Sequence, residues 1–322
     1  MRQICLQKKT RKNFTLITHP SVAANFNLLN KKGMKIIIFG GRGFIGKALE
    51  EKIRTGSHEI AVFDLPSEDI QKPETFQNRL LSEHADVVIN LAAILGGMKG
   101  GPTIQDLFEV NVMGNLKLLK SSYDAGIRNY VFISSLTVHG ENNIGDHKKI
   151  TSPFNPKHGY GASKSAAEFS MMQFLKEAPD MKIVTVRLTM VLGKDTNLPH
   201  APIEYIKAIL AGRDIEMYGE GRHEREWLWI DDAAEGIVRA AEYGASASPG
   251  YHPFFLSCNR IAMRDLAEKI AKKLGGKVVF TPSTTQSFTL TSDASETKKI
   301  LNWLPKNNID DIIDKLIVLS RH

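Results

Sequence analysis

Cysteine is nearly absent from this chain: Cys5 and Cys258 are the only two in 322 residues. Two thiols so far apart make no disulfide framework, and they read as free cysteines of a reducing, cytoplasmic compartment. The ten histidines form no His-Glu-x-x-His or Cys-His pattern, so no metal site is expected. No apolar run approaches the roughly 18 residues of a membrane span, and no secretory core precedes a small-residue cleavage site. Low-complexity tracts and internal repeats are missing too. Acid is lacking from one region only. Residues 1–33 contain Arg2, Lys8, Lys9, Arg11, Lys12, Lys31 and Lys32 and no aspartate or glutamate. Removing those seven from the 42 basic residues leaves 35, equal to the 35 acidic ones. The rest of the chain is therefore neutral, and a pI of 9.2 does not point to nucleic acid. The basic segment reads as an extension ahead of a natural start at Met34, as a targeting peptide or as a basic arm. The first is favoured, because Met34 directly precedes Lys35 and the first predicted strand.

What the chain does have is an alternation of apolar runs with helical patterns, and 42% hydrophobic residues, enough to bury a large core. Lys35-Ile36-Ile37-Ile38-Phe39 is a buried strand that breaks into Gly40, Gly43 and Gly46, after which Lys47-Ala48-Leu49 resumes as a helix. Glycine in such a turn supplies positive φ, leaves room where phosphate oxygens approach and lets helix pack closely on strand. The helix N-terminus, with Phe44 and Ile45, offers amides and a partial positive charge to a pyrophosphate. A second strand, Glu59–Phe63, ends at Asp64, where a carboxylate could accept bonds from both ribose hydroxyls and repel a 2′-phosphate. Asp64 also reads as a plain turn residue ahead of Pro66. Further strands are predicted at residues 86–93, 129–133 and 182–188, the last two counted as fifth and sixth. Tyr160 and Lys164, four apart, share one face of a helix. A nearby ammonium would lower the tyrosine's pKa toward that of a usable base.

The Gly-x-x-Gly-x-x-Gly turn with Tyr160-Gly161-Ala162-Ser163-Lys164 resembles the extended short-chain dehydrogenase/reductases, the branch of nucleotide-sugar epimerases, dehydratases and reductases. The resemblance covers residues 34–318. It implies an α/β fold: a Rossmann-type doubly wound parallel sheet over residues 34–187 and a smaller C-terminal α/β substrate-binding region over 188–322, some of whose segments return to the first domain. It implies NAD as cofactor, with NADP less favoured, held by Gly40, Gly43, Phe44, Ile45, Gly46, Asp64, Asp69, Ile70, Leu91, Ala92, Ala93, Asn111, Tyr160 and Lys164. Leu91 to Ala93 also read as an ordinary buried strand end. Asn111 reads equally as a support for a proton relay or as a capped, solvent-edged asparagine.

Ser134-Ser135-Leu136-Thr137-Val138-His139-Gly140 resembles the family's Ser-Ser-x-x-Val-Tyr-Gly segment, which puts the catalytic hydroxyl at Ser135, beside Tyr160 and Lys164. His139 stands where the family has tyrosine, a change expected to reshape the substrate pocket. Leu136 and Thr137 stand where 4,6-dehydratases carry an Asp-Glu pair, so dehydration is not expected. The substrate contacts implied are Ser135, Thr137, Met190, where the family often has asparagine, and Arg225, which matches an arginine that grips a diphosphate. Taken alone, Arg225 reads better as a solvated charge. Asp232 is expected to cap a helix over residues 233–243, and closing helices are expected over residues 263–274 and 292–303. The function implied is epimerisation of a nucleotide-activated sugar at C4 through a transient keto intermediate. The alternatives are a reductase or dehydrogenase of a keto sugar or non-sugar alcohol, and a non-catalytic NAD-binding regulator. A homodimer joined through two helices of each subunit is also implied.

Overall fold

The computed structural model describes residues 33–96, 100–196, 198–283 and 288–321. The basic segment up to residue 32, including Cys5, lies outside them.

Strand β1 (Lys35–Phe39) is apolar on both faces because it is covered on both. Ile36 and Ile38 point into one core with Leu49 and Ile53, whereas Ile37 and Phe39 point into another with Phe63, Phe76, Leu118 and Met171. This two-residue alternation places β1 at the centre of a sheet with helices above and below. β2 (Glu59–Phe63), β3 (Val87–Asn90), β4 (Asn129–Ser135), β5 (Lys182–Leu188) and β9 (Gly250–Leu256) complete it in the order β2-β1-β3-β4-β5-β9. Every pairing is parallel. Because β1 lies between β2 and β3, the connections leaving β1 and β3 diverge and open a crevice beyond their carboxyl ends.

Between β2 and β3 runs one 3₁₀ turn, Pro73–Thr75, and one short helix, α2 (Gln77–Glu83), after α1 (Phe44–Arg54). No strand occupies that stretch, so the strands counted as fifth and sixth from sequence are β4 and β5. After β5 come β6 (Met190–Leu192), β7 (Ile215–Tyr218), β8 (Glu224–Trp229), β10 (Arg260–Ala262) and β11 (Val278–Thr281). They form a β10-β8-β6 sheet and a β11-β7 pair. Among the described residues no helix is long and apolar enough to cross a membrane.

Two helix boundaries depart from expectation. The helix after β8 spans Ile230–Ser246, and Trp229 stands at its N-cap position, so Asp232 lies inside the first turn. Its carboxylate accepts from Lys306 N (2.7 Å), Asn307 N (3.0 Å) and Asn307 Nδ2 (2.8 Å), tying down the chain before the last helix, Ile309–Ser320. Asp232 is structural, as a tether and not as a cap. The helix Met263–Leu274 matches its expected span, but the next covers only Ser295–Ile300, because Thr289 and Ser292 bridge to Asn142 and Lys148. Asp232→Ala removes the charged acceptor shared by three donors, on the exposed Lys306 and the half-buried Asn307. It is expected to lower stability by about 1–3 kcal/mol, read as a lower urea midpoint with an unchanged m-value.

Candidate active site

The glycine turn sits at the tip of β1. Gly40 has φ +79°, and a Cβ there would lie 2.8 Å from Ala92 N at the tip of β3. A Cβ on Gly46 would lie 2.4 Å from Gly41 O, so α1 rests directly on the turn. At Gly43, the α1 N-cap, an added Cβ would meet only Gly40 O at 3.3 Å. The first turn of α1 carries no acid and no side-chain cap, which leaves the amides at Phe44 and Ile45 available to an anion. This cradle fits a dinucleotide pyrophosphate.

Asp64 stands beside it at the tip of β2. One carboxylate oxygen accepts from Arg42 N (2.6 Å) and the other from Leu65 N (2.7 Å). Asp69 accepts from Gln71 N in its own turn, and Ile70 is buried against Gly114. Leu91 and Ala92 are half-buried and Ala93 is exposed. Asn111 is fully enclosed, in a π-helical turn, Glu109–Gly114. It accepts from Ile94 N (2.9 Å) and donates to Ile94 O and Ser163 Oγ (both 3.0 Å). The solvent-edged alternative is thereby excluded: Asn111 fastens the loop after β3 to the helix bearing Tyr160.

That helix, α5 (Gly159–Phe174), starts at His158, whose Nδ1 accepts from Gly161 N and whose ring stacks on Tyr160. Lys164 Nζ donates to Ile133 O (2.8 Å) at the end of β4 and lies 5.9 Å from the Tyr160 ring centroid. Burial pushes Lys164 down to about 7, with Glu168 opposing. Burial also pushes Tyr160 up to about 12, against the lowering expected from Lys164. Desolvation of the phenolate outweighs the ammonium here, so a further positive charge is needed to make Tyr160 a base near neutrality.

Ser135 ends β4 and caps a 3₁₀ turn, Leu136–His139, its Oγ accepting from Thr137 N and from Thr137 Oγ1 (2.9 Å). Ser135, Thr137, Met190 and Arg225 all line one cavity of about 240 Å³, together with His158 and Phe288. A wider cleft of about 840 Å³ shares Glu141, Lys157 and Phe288 with it. The Arg225 guanidinium lies over the Phe288 ring and donates to Phe288 O and Glu224 O. Burial pushes Arg225 down to about 10, so it remains a cation at neutral pH.

His139 departs from expectation. It is fully buried and lines neither cavity, because it answers to Arg187. Arg187 Nη1 donates to His139 Nε2 (2.9 Å), while His139 Nδ1 donates to Pro153 O (3.1 Å). Sequence reasoning missed His158, Lys157 and Phe288. The first two could have been found from their place just ahead of Tyr160, but a lone phenylalanine in a polar stretch gives no signal. Among the described residues no group of three or more His, Cys, Asp or Glu could hold a metal ion.

A family model described as "NAD dependent epimerase/dehydratase family" matches residues 36–252. The chain is 24% identical to a UDP-glucose 4-epimerase of Erwinia amylovora, over 87% of this chain and 96% of that protein. It is 25% identical to a dTDP-4-dehydro-6-deoxyglucose reductase of Escherichia coli, over 88% and 96%. The crystal structure of UDP-glucose 4-epimerase with UDP-glucose from Thermotoga maritima superposes with a TM-score of 0.77 at 21% identity, covering 89% of this chain and 99% of that one.

The buried His139 gives the fold a pH signature. Desolvation and Arg187 push its pKa down to about 4, below the ordinary value of 6.5. Its contribution to stability is therefore complete above pH 6.5 and is lost as pH falls toward 4. The shift corresponds to about 3 kcal/mol. Glu226, pushed up to about 7 by burial, titrates in the opposite sense but is common to wild type and variant. In urea titrations from pH 7 to pH 4, His139→Gln is expected to start less stable and to lose about 3 kcal/mol less on acidification than wild type.

Proposed function

The chain belongs to the NAD dependent epimerase/dehydratase family, and from that premise we propose that it epimerises a nucleotide-activated sugar, at C4, through a transient keto intermediate. The observation that carries this reading is the convergence of Ser135, Thr137, Met190 and Arg225 on one cavity beside the Tyr160 helix. Gly40, Gly43, Gly46, Phe44 and Ile45 would hold the pyrophosphate of NAD, with Asp64 at the adenosine ribose and Leu91 to Ala93 passing beneath. Asp69 and Ile70 are assigned to the adenine end. The Asp64 carboxylate favours NAD over NADP, since it would repel a 2′-phosphate. When bound, NAD supplies a reversible hydride acceptor.

The residues of this chain do the proton work. Tyr160 removes the proton of the substrate hydroxyl, Ser135 orients that oxygen by a hydrogen bond, and Lys164 supplies positive charge to the phenolate. Arg225 anchors the diphosphate by turning its fork of donors from backbone carbonyls to phosphate oxygens. Leu188, Met190 and Leu290 wall the cavity with apolar groups. Such walls hold a sugar ring without directional bonds, which suits a ring that must turn to expose its other face. Leu136 offers no proton for elimination of water. The second reading, a keto-sugar reductase, rests on Met190 standing where the family often has an asparagine. We also assign a homodimer contact to the exposed Phe108, Met113 and Phe169, which are 37%, 46% and 58% accessible on or beside α5.

Incubation with NAD and a panel of UDP-, GDP-, dTDP- and CDP-sugars is expected to give an epimer without net reduced cofactor. Reduced cofactor formed in step with an oxidised sugar would contradict the main reading. Tyr160→Phe is expected to cut turnover by about 10²–10⁴-fold, and full activity in that variant would end the proposal. Phe169→Asp is expected to sediment as a monomer, and an unchanged dimer would place the contact elsewhere.

A further inference from the structure

Helix α5 carries a third ionisable group on the face of Tyr160 and Lys164. Glu168 lies one turn beyond Lys164, with no accessible surface. Its carboxylate collects four donors: Ser134 Oγ, Arg187 Nε (3.2 Å), Arg187 Nη2 (2.7 Å) and Tyr251 OH. With Lys164 it forms a clamp. Lys164 holds Ile133 O while Glu168 holds the Ser134 hydroxyl, so consecutive residues of β4, just ahead of Ser135, are fastened to consecutive turns of α5. Arg187, opposite Ser134 on β5, extends the clamp through Nη1 to His139 and to Ile150 O (3.1 Å). One buried ion pair thus joins the helix bearing Tyr160, the strand end bearing Ser135 and the turn bearing Thr137.

A fully buried ion pair adds little net stability over apolar packing. We propose that Glu168 is a positioning residue that acts through Lys164, keeping its ammonium charged inside the protein while, with Arg187, it holds the Ser135 turn against α5. The proposal rests on the reading of Ser135, Tyr160 and Lys164 given above. The groups facing this lysine are few. Its own helix supplies Tyr160 and Glu168, and β4 supplies the Phe132 ring and the Ile133 carbonyl, while the Ser134 hydroxyl is turned to Glu168. Behind Glu168 stand Arg187 from β5, Tyr251 from β9 and the neutral His139. Glu168 is the anion among them, and it raises the lysine's pKa against the lowering by burial.

The test is a pH titration of the full chain labelled with [13Cε]lysine, followed by NMR without cofactor or substrate. Lys164 is identified as the resonance that vanishes in Lys164→Met, and it is expected to titrate near neutrality, apart from the surface lysines. Glu168→Gln is expected to lower its midpoint by about one unit. Glu168→Asp, which keeps the charge but draws it back by one methylene, is expected to lower it less. At pH 8 the turnover number of Glu168→Gln should fall about tenfold with KM nearly unchanged, and Glu168→Asp should recover part of it. Should Glu168→Gln not fold, the Glu168→Asp titration decides alone. An unmoved midpoint in a folded variant would overturn the proposal and leave Glu168 as packing only. Failure of the parent reading looks different: Tyr160→Phe would stay active whatever the lysine titration shows.

Discussion

A parallel sheet buried on both faces must end all its strands at the same edge, and the rest of this structure depends on that constraint. Gly40 follows β1, Asp64 follows β2, Leu91 follows β3, Ser135 closes β4 and Met190 lies just past β5. Residues spread over 150 positions are thereby gathered along one rim, with no long loop needed to carry them there. The close approach of Gly40 to Ala92 marks where the rim divides, because the chain leaves β1 and β3 in opposite directions. The C-terminal part of the chain then adds the outer wall, Arg225 from β8 and Phe288 beyond β11, which face Ser135 and Met190 of the rim across one cavity.

Burial decides the electrostatics of that rim. It drives the phenol of Tyr160 and the ammonium of Lys164 toward their neutral forms, up to about 12 and down to about 7. In that state the pair is poised, since each added charge in the neighbourhood acts through few competing dipoles. The Glu168–Arg187 pair beneath it acts on both the charge and the position of the groups above, which explains why so polar a cluster lies in a core otherwise built of isoleucine, valine and phenylalanine.

Local signals were the legible ones. The β-branched runs, the glycine interval and the Tyr160–Lys164 spacing depend on neighbours within one turn or one strand, and each stands where those neighbours put it. The convergence of Ser135, Thr137, Met190 and Arg225 was reached by resemblance, since nothing local ties β4 to β8. His139 was misjudged because its partner, Arg187, lies 48 residues away and turns a pocket position into a core one. Asp232 was misjudged in the same way: its donors lie 74 and 75 residues further on, so a residue that reads as a cap is a tether. The strand count ran one ahead because the chain returns from β2 to β3 through a single short helix.

The most direct test of the central claim follows a nucleotide sugar carrying deuterium at C4 through turnover with unlabelled NAD. The account predicts that the epimerised product keeps its deuterium while no reduced cofactor accumulates, because the hydrogen that leaves one face of the ring returns to the other within a single binding event. Deuterium appearing in free reduced cofactor, matched by an oxidised sugar, would contradict it.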